Sequence, residues 1–312
     1  AAMTDALRLS RGMTYKAAAA GINLGGAKAV IIGDPKKDKS EALFRAFGRF
    51  VDSLGGHYIT AEDVGTNTSD MELIAQETAW VTGVAPELGG GGDPSPVTAL
   101  GVLQGIRAAA QTLWGTTELG QRTVAIQGLG NVGAYLAGYL REEGVRIIGC
   151  DLDRDAIAHA QELGVEIVEP EAIYDAECDI FAPCALGAIL NDDTLPRLKA
   201  KAVAGGANNQ LADAARHGAE VERRGILYAP DFVINAGGLI NVFQEFIGYD
   251  QERALRRARG IYDNVLRVFA IAHREGIPTA VAADRLAETR IADVKTLGPR
   301  HWDRAVLERL SS

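Results

Sequence analysis

The sequence predicts an α/β fold of two domains, the second of which carries a Rossmann-type doubly wound parallel sheet. With 312 residues, the chain is longer than a typical single domain. Beyond residue 97, short apolar strands alternate with helical segments, which is the pattern of a parallel α/β sheet. A Gly-x-Gly-x-x-Gly sequence at 128–133 follows one of these strands and opens a helix.

The region before residue 97 reads as helices separated by glycine-rich turns. Apolar residues recur at helical spacing in its helical segments, and two short apolar runs are candidate strands. The predicted helices cover residues 3–20, 40–54 and 70–80, and the candidate strands cover 29–32 and 58–60. Four glycines at 89–92, followed closely by two prolines, can continue neither type of element. We therefore predict a first domain over residues 1–96.

The region beyond this boundary predicts the parallel sheet and a helical end. A helix over 97–114 comes first, and the last region is helical over 250–274 and 279–290. The predicted strands cover residues 123–127, 145–150, 166–168, 180–181, 202–204 and 227–228. We predict a dinucleotide-binding domain over 97–280 and a separate C-terminal helical segment over 281–312.

The glycine sequence has the surroundings that a dinucleotide site requires. Gly128 permits a tight turn, Gly130 lets the backbone approach the pyrophosphate, and Gly133 allows close packing of helix on strand. Asp151 ends the next strand, where a carboxylate binds the adenosine ribose and disfavours a 2′-phosphate; this favours NAD over NADP, although Arg154 is a mild opposing signal. A glycine-rich turn without a ligand is the alternative. The predicted loop contacts are Gly128, Gly130, Asn131, Val132 and Gly133.

Composition excludes several other classes of function. A net charge of −9 argues against nucleic acid, and no apolar run reaches the ~18 residues of a membrane span. The first residues lack the pattern of a signal peptide, so we expect a cytoplasmic protein. Neither the cysteines nor the scattered histidines have metal-ligand spacing, and we predict no metal. The cysteines, expected to be core residues, are Cys150, Cys178 and Cys184.

Two lysines in glycine-rich or apolar surroundings suggest chemistry in the first domain. A lysine ammonium can hold the carboxylate of an α-amino acid, and Lys16 and Lys28 are the candidates. A lysine with a lowered pKa can also activate the water that attacks an iminium, while a carboxylate such as Asp63 relays protons. The alternative is that each of these charges is an ordinary solvated surface group.

Several motifs together resemble those of the Glu/Leu/Phe/Val dehydrogenase superfamily, across nearly the whole chain. They are specific for the superfamily and less specific for the amino acid. Its members have a substantial N-terminal segment that this sequence lacks, so we expect a fragment whose first domain is incomplete at its start. The motifs are Gly12-Met13-Thr14-Tyr15-Lys16, Gly25-Gly26-Ala27-Lys28, Ile59-Thr60-Ala61-Glu62-Asp63-Val64-Gly65-Thr66, Pro94-Ser95-Pro96-Val97-Thr98, Asp179-Ile180-Phe181-Ala182-Pro183-Cys184-Ala185-Leu186-Gly187, Val233-Ile234-Asn235-Ala236-Gly237-Gly238 and Ala282-Ala283-Asp284-Arg285.

The resemblance implies roles for individual residues. Lys16 and Asn235 would hold the substrate carboxylate, Lys28 would activate water, and Asp63 would transfer protons at the amino nitrogen. It also implies NAD as cofactor, a homo-oligomer, two domains closing over a cleft, and C-terminal helices that return to the first domain. The remaining implied contacts are Gly26 and Leu239 for the substrate, and Thr98 and Asn208 for the cofactor.

Three functions remain open from the sequence. The first is NAD-dependent deamination of a branched-chain amino acid. The second changes only the substrate, to phenylalanine or another apolar amino acid, because pocket residues around Leu239 decide the side chain. Glutamate is disfavoured, because the motifs offer no extra cation for its side chain. The third is a truncated NAD-binding or assembly protein without catalysis.

Overall fold

The computed structural model describes residues 2–185 and 187–298. These residues form two compact units with discontinuous sequences. The first unit comprises residues 2–94, 239–254 and 291–298. The second comprises residues 95–238 and 255–290. The chain therefore enters the first unit three times.

The first unit begins with three helices, α1 (Ala2–Ala19), α2 (Glu41–Ser53) and α3 (Thr68–Ala75), and a 3-10 turn at Pro86–Leu88. Ser40 caps α2, because its hydroxyl accepts the backbone N–H of Leu43 at 3.2 Å. Helices α2 and α3 pack together around Phe44, Met71 and Ile74, each at most 3% exposed.

Two predicted strands of the first unit are wrong. Residues 29–32 have no regular structure, and Ile32 is 86% exposed. Residues 58–60 contribute only a single bridge, in which Thr60 pairs in parallel with Val81. An apolar run becomes a strand only when a neighbouring strand accepts its hydrogen bonds, and the described residues provide none for 29–32.

The second unit contains a six-stranded, wholly parallel sheet in the order β3-β2-β1-β4-β5-β6. This is the order of doubly wound dinucleotide-binding sheets, so the predicted fold class is confirmed. The central strand is fully buried at Val124, Ala125 and Ile126. The strands are β1 (Thr123–Gln127), β2 (Arg146–Cys150), β3 (Glu166–Ile167), β4 (Ile180–Pro183), β5 (Ala202–Val203) and β6 (Leu227–Tyr228).

Helices cover this sheet. Three further helices, the crossing helices, each contain residues of both units. The helices of the second unit, besides a 3-10 turn at Ala172–Asp175, are α4 (Ser95–Trp114), α5 (Asn131–Glu142), α6 (Arg154–Glu162), α7 (Ala214–Arg223), α8 (Asp231–Ile234) and α11 (Ile261–Glu275). The crossing helices are α9 (Gly237–Phe246), α10 (Gln251–Arg259) and α12 (Thr279–Lys295). The single helix predicted over 250–274 is interrupted at Gly260.

The crossing helices explain how this division differs from the predicted domains over 1–96, 97–280 and 281–312. Residues 239–254 group with the first unit, and residues 281–290 group with the second. A hydrophobic pattern shows that a helix has a buried face but does not show which core that face joins. Of the predicted C-terminal segment, residues 299–312 lie outside the described residues.

No helix among residues 2–185 and 187–298 is both long and apolar enough to cross a bilayer. Within the same ranges, no group of three or more His, Cys, Asp or Glu side chains is arranged to hold a metal ion.

Candidate active site

The glycine loop after β1 is shaped by close backbone contacts in the second unit. Gly128 has φ +95°, and a Cβ there would lie 2.7 Å from the backbone nitrogen of Ala185. A Cβ at Gly133 would overlap the carbonyl oxygen of Gly128. A Cβ at Gly130, in contrast, would meet no atom within 4 Å. The first and third glycines are therefore required by packing, while the space at Gly130 is open to an approaching ligand.

Helix α5 begins directly after Gly130, which is its N-cap and has no side chain to bond the first free N–H groups. Asn131 and Val132 form the start of its first turn. The positive end of the helix dipole and these N–H groups form the type of site that binds a phosphate. The loop predicted from sequence is therefore followed by the element that a dinucleotide requires.

Asp151 lies at the end of β2, next to this loop. Its carboxylate accepts the backbone N–H of Leu129 at 2.6 Å and those of Leu152 and Asp153 at 2.6 and 2.9 Å. Burial opposes the charged form, but these donors and the N–H of Gly130 outweigh it and lower the pKa of the carboxyl below its usual 3.8. Asp151 is thus an anion fixed against the glycine loop.

Lys28 and Asp63 form a direct ion pair in the first unit. Lys28 is half-buried at 23% side-chain exposure, whereas Asp63 is 48% exposed. Burial lowers the pKa of the Lys28 ammonium below its usual 10.5. The structure therefore brings the predicted base and the predicted proton carrier into contact.

The loop that carries Asp63 is held by its own hydrogen bonds. The backbone N–H of Asp63 donates to the hydroxyl of Thr66 at 2.9 Å, and that hydroxyl donates to the carbonyl of Asp63 at 2.7 Å. The second carboxylate oxygen accepts the N–H of Val64 at 2.7 Å. Gly65 permits the turn with φ +85°. These local bonds hold the loop backbone and one carboxylate oxygen of Asp63, while Lys28 contacts the other oxygen.

The glycine turn before Lys28 is fixed to helix α1, near Lys16. The N–H of Gly26 donates to the hydroxyl of Thr14 at 3.0 Å, and that hydroxyl donates to the carbonyl of Ser10 at 2.9 Å. A Cβ at Gly26 would overlap the backbone nitrogen of Thr14. Lys16 lies half-buried in the last turn of α1, two residues after Thr14. Both predicted lysines thus belong to segments joined at one contact.

Asn235 and Asn208 meet in the second unit. The amide nitrogen of Asn235 donates to the side-chain oxygen of Asn208 at 2.7 Å and to the carbonyl of Gly206 at 3.2 Å. Its side-chain oxygen is buried and has no hydrogen-bond partner among the described residues. The side-chain oxygen of Asn235 is thus available as an acceptor, whereas its amide nitrogen already donates. To donate to a carboxylate, this nitrogen would have to break one of its present hydrogen bonds.

Thr98, near the start of α4, lies beside the glycine pair that follows Asn235. A Cβ at Gly238 would lie 3.1 Å from the Thr98 hydroxyl, and one at Gly237 would lie 2.7 Å from its Cα. Leu239 is the next residue, groups with the first unit and is half-buried. The close approach at Gly237 and Gly238 explains why this motif needs residues without side chains.

The cysteines, predicted to be ordinary core residues, are free thiols with raised pKa values. Burial raises the pKa to about 11 at Cys150, about 12 at Cys178 and about 11 at Cys184. A thiol in this state is a weak nucleophile at neutral pH.

Sequence reasoning missed the residues that hold this site in place. Thr14 and Thr66 belong to the motifs, but their hydrogen-bond partners could be identified only in the folded chain. Glu245, the one charged residue of helix α9, was also missed. A single charge in a helix of otherwise uncharged residues was the available signal.

Two family matches cover most of the chain. Residues 1–80 match the family described as Glu/Leu/Phe/Val dehydrogenase, dimerisation domain. Residues 89–169 and 153–296 match the Glutamate/Leucine/Phenylalanine/Valine dehydrogenase family.

Curated relatives and a solved structure agree with these matches. A leucine dehydrogenase of Geobacillus stearothermophilus is 58% identical over 295 residues, which are 94% of this chain and 80% of the relative. A valine dehydrogenase of Streptomyces coelicolor is 51% identical over 94% of this chain and 82% of its own. The crystal structure of L-tryptophan dehydrogenase from Nostoc punctiforme superposes with a TM-score of 0.86 at 49% identity, covering 95% of this chain and 85% of that one.

Proposed function

The chain belongs to the Glu/Leu/Phe/Val dehydrogenase family of amino-acid dehydrogenases, and from this premise we propose that it oxidises L-leucine and related branched-chain amino acids with NAD. The products are the 2-oxo acid, ammonia and NADH, and the reverse reaction is reductive amination. The contact between Lys28 and Asp63 is the observation that carries the proposal, because it joins the two groups that the chemistry needs.

The glycine loop and Asp151 fit a dinucleotide. The open space at Gly130 leaves room for a pyrophosphate, and the start of α5 supplies N–H donors for it. The anionic carboxylate of Asp151 supplies an acceptor for ribose hydroxyls. The negative charge of Asp151 disfavours the 2′-phosphate of NADP, which supports NAD. NAD held by these residues would supply the acceptor for the hydride of the substrate Cα.

The groups of the first unit would handle the amino acid and its protons. Lys16 binds the substrate carboxylate by charge, with Gly26 forming part of the binding surface. Asp63 takes a proton from the amino nitrogen as the C–N bond is oxidised to an iminium. Lys28, in its neutral form, takes a proton from the water that attacks this iminium. Asp63 then returns its proton to the nitrogen, the C–N bond breaks as ammonia leaves, and the remaining hydroxyl releases its proton to solvent as the carbonyl forms.

Asn235, Asn208 and Thr98 belong to the proposed cofactor and substrate contacts of the second unit. The buried side-chain oxygen of Asn235 has no partner among the described residues and can accept a hydrogen bond, which supports contact with an N–H or O–H group of a ligand. Donation from Asn235 to the substrate carboxylate requires its amide to leave Asn208. Thr98 is our proposed contact for the nicotinamide carboxamide.

The choice of amino acid rests on Leu239 and on relatives that act on different side chains. Relatives named leucine and valine dehydrogenases, at 58% and 51% identity, support a branched aliphatic substrate, whereas one named L-tryptophan dehydrogenase, at 51% identity, supports an aromatic one. A difference of one methylene in an apolar pocket is worth ~1–3 kcal/mol, so we expect overlapping activity on leucine, valine and isoleucine. Tryptophan and phenylalanine are the alternative substrates.

We also propose a homo-oligomer in a reducing, cytoplasmic compartment. The match of residues 1–80 to a dimerisation domain supports self-association, and the three free thiols suit a reducing environment.

The test is NADH absorbance with the purified chain, NAD and a panel of leucine, valine, isoleucine, phenylalanine, tryptophan and glutamate. We expect the largest kcat/KM with the branched-chain substrates and a lower one with NADP in place of NAD. A preference for an aromatic substrate would move the assignment to that alternative. NAD binding without NADH formation on any amino acid would refute the catalytic function.

A further inference from the structure

Glu245 is a half-buried carboxylate on helix α9 that makes bonds to backbone rather than to a cation. Its carboxylate accepts the N–H of Gly83 at 2.7 Å, and it also accepts the N–H of Gly91. Burial raises the pKa of this carboxyl, although the two N–H donors act against the increase. All three residues belong to the first unit. Glu245 thus joins α9 to both ends of the segment 83–91.

The contact with Gly91 leaves no room for a side chain. A Cβ there would lie 2.6 Å from the ring of Tyr249, 2.8 Å from the amide nitrogen of Asn241 and 3.0 Å from a carboxylate oxygen of Glu245. The hydroxyl of Tyr249 donates to the side-chain oxygen of Asn241 at 3.1 Å. Helix α9 therefore presents a fitted polar surface to this backbone, which makes the contact specific.

Gly83, which Glu245 contacts, lies beside Glu62, the residue before Asp63. Gly83 has φ +81°, and a Cβ there would lie 3.4 Å from both the backbone nitrogen and the Cβ of Glu62. The preceding residue, Thr82, donates its N–H to the carbonyl of Thr60 at 2.9 Å. The segment around Gly83 thus runs beside residues 60–62. The backbone of Gly83 therefore lies against the residue that precedes Asp63.

We propose that Glu245 is a positioning residue for the reaction, which fixes Asp63 opposite Lys28 through Gly83 and Glu62. This inference rests on the proposed function, because it presumes that Asp63 transfers protons. It assigns Glu245 no contact with the substrate. A displacement of about 1 Å at a reacting group can lower a rate about 100-fold, so a distant carboxylate that sets this position controls kcat.

Glu77 offers a matched control in the same unit. Its side chain, 12% exposed, also receives two hydrogen bonds, from Arg45 at 2.6 Å and Arg49 at 2.7 Å. Its partners are side chains of α2 rather than the backbone next to Asp63. Loss of the Glu77 charge therefore removes contacts to α2 and leaves the contacts of Glu245 with Gly83 and Gly91 in place.

The experiment compares wild type, Glu245→Gln and Glu77→Gln, each with Asp63 intact and as Asp63→Asn. We expect Glu245→Gln to lower kcat about 10- to 100-fold and to change the NAD dissociation constant less than about twofold. In the Asp63→Asn background, the same change should alter kcat less than about twofold, because no carboxylate remains to be positioned. Glu77→Gln should leave kcat within about twofold while lowering Tm. Amide exchange at Gly83 should be faster in Glu245→Gln than in wild type.

Two results would overturn the inference while leaving the proposed function intact: full kcat in Glu245→Gln, or the same loss of kcat with and without Asp63. A wild-type enzyme that oxidises no amino acid overturns the proposed function, and the role of Glu245 with it. If Glu245→Gln does not fold, Glu245→Asp replaces it, since the shorter acid keeps the charge but not the reach to both N–H groups. The same outcomes then apply.

Discussion

The glycine loop and the proposed amino-acid site differ in what holds them in shape. In the loop at 128–133, backbone packs on backbone beside a buried parallel sheet, and the absence of side chains is the requirement. Lys28 and Asp63 instead lie outside helices and strands, where the side chains of Thr14, Thr66 and Glu245 each accept a hydrogen bond from a backbone N–H of the surrounding segments. An added methyl group should therefore damage the first site, and a lost polar atom should damage the second.

The largest expected effect is a loss of kcat when the amine of Lys28 is removed. Lys28→Ala should lower kcat about 10²- to 10⁴-fold, since positioned acid–base groups contribute that much, and leave NAD affinity within about twofold. Steady-state NADH formation and fluorescence titration with NAD measure the two quantities. Lys37→Ala is the control, because Lys37 is 80% exposed and should be neutral. Retention of more than about a tenth of the wild-type rate would contradict the role of Lys28.

The second effect tests the backbone-defined site with two glycines of the same helix. Gly133→Ala should weaken NAD binding about 10-fold or more and lower Tm, because its methyl group would overlap the carbonyl of Gly128. Gly138→Ala should leave binding unchanged and raise Tm, since a Cβ there meets no atom within 4 Å and alanine favours a helix by ~1 kcal/mol. Calorimetry and NAD titration distinguish the pair. Equal behaviour of the two variants would show that loop packing does not govern binding.

The third effect tests the hydrogen bond between α1 and the glycine turn. Thr14→Val removes the acceptor of the Gly26 N–H, at a cost of ~1 kcal/mol, and should raise the KM for the amino acid about fivefold. Thr112→Val is the matched control, because Thr112 makes the same type of bond to a carbonyl within its helix but receives none. Equal KM values in both variants would show that Thr14 does not contribute to binding of the amino acid.

The smallest effect concerns pH and needs no substitution. Burial lowers the pKa of Lys28, and the neutral amine is the active form, so kcat/KM should rise with pH and level off below 10.5. The profile is measured with leucine at saturating NAD. A kcat/KM that still increases at pH 10.5 would show that deprotonation of Lys28 does not cause the rise with pH.

Much of the second unit could be predicted because its requirements are local. The spacing of Gly128, Gly130 and Gly133, between a strand and a helix, is fixed by how a backbone turns and packs. Asp151 was found in the same way, at the end of the next strand. The order of the six strands, in contrast, is a property of the sheet and was not readable from the chain. The functional roles of these residues remain predictions.

The sequence by itself determined the fold class and the glycine loop and proposed the reactive side chains, because local backbone rules and motifs indicate them. Tertiary structure alone decided that 29–32 is not a strand, that three helices cross between units, and that Lys28 meets Asp63. It also decided that Glu245 reaches Gly83, 162 positions earlier in the chain. Such contacts depend on which surfaces meet when the whole chain folds, and periodicity carries no information about partners so far apart.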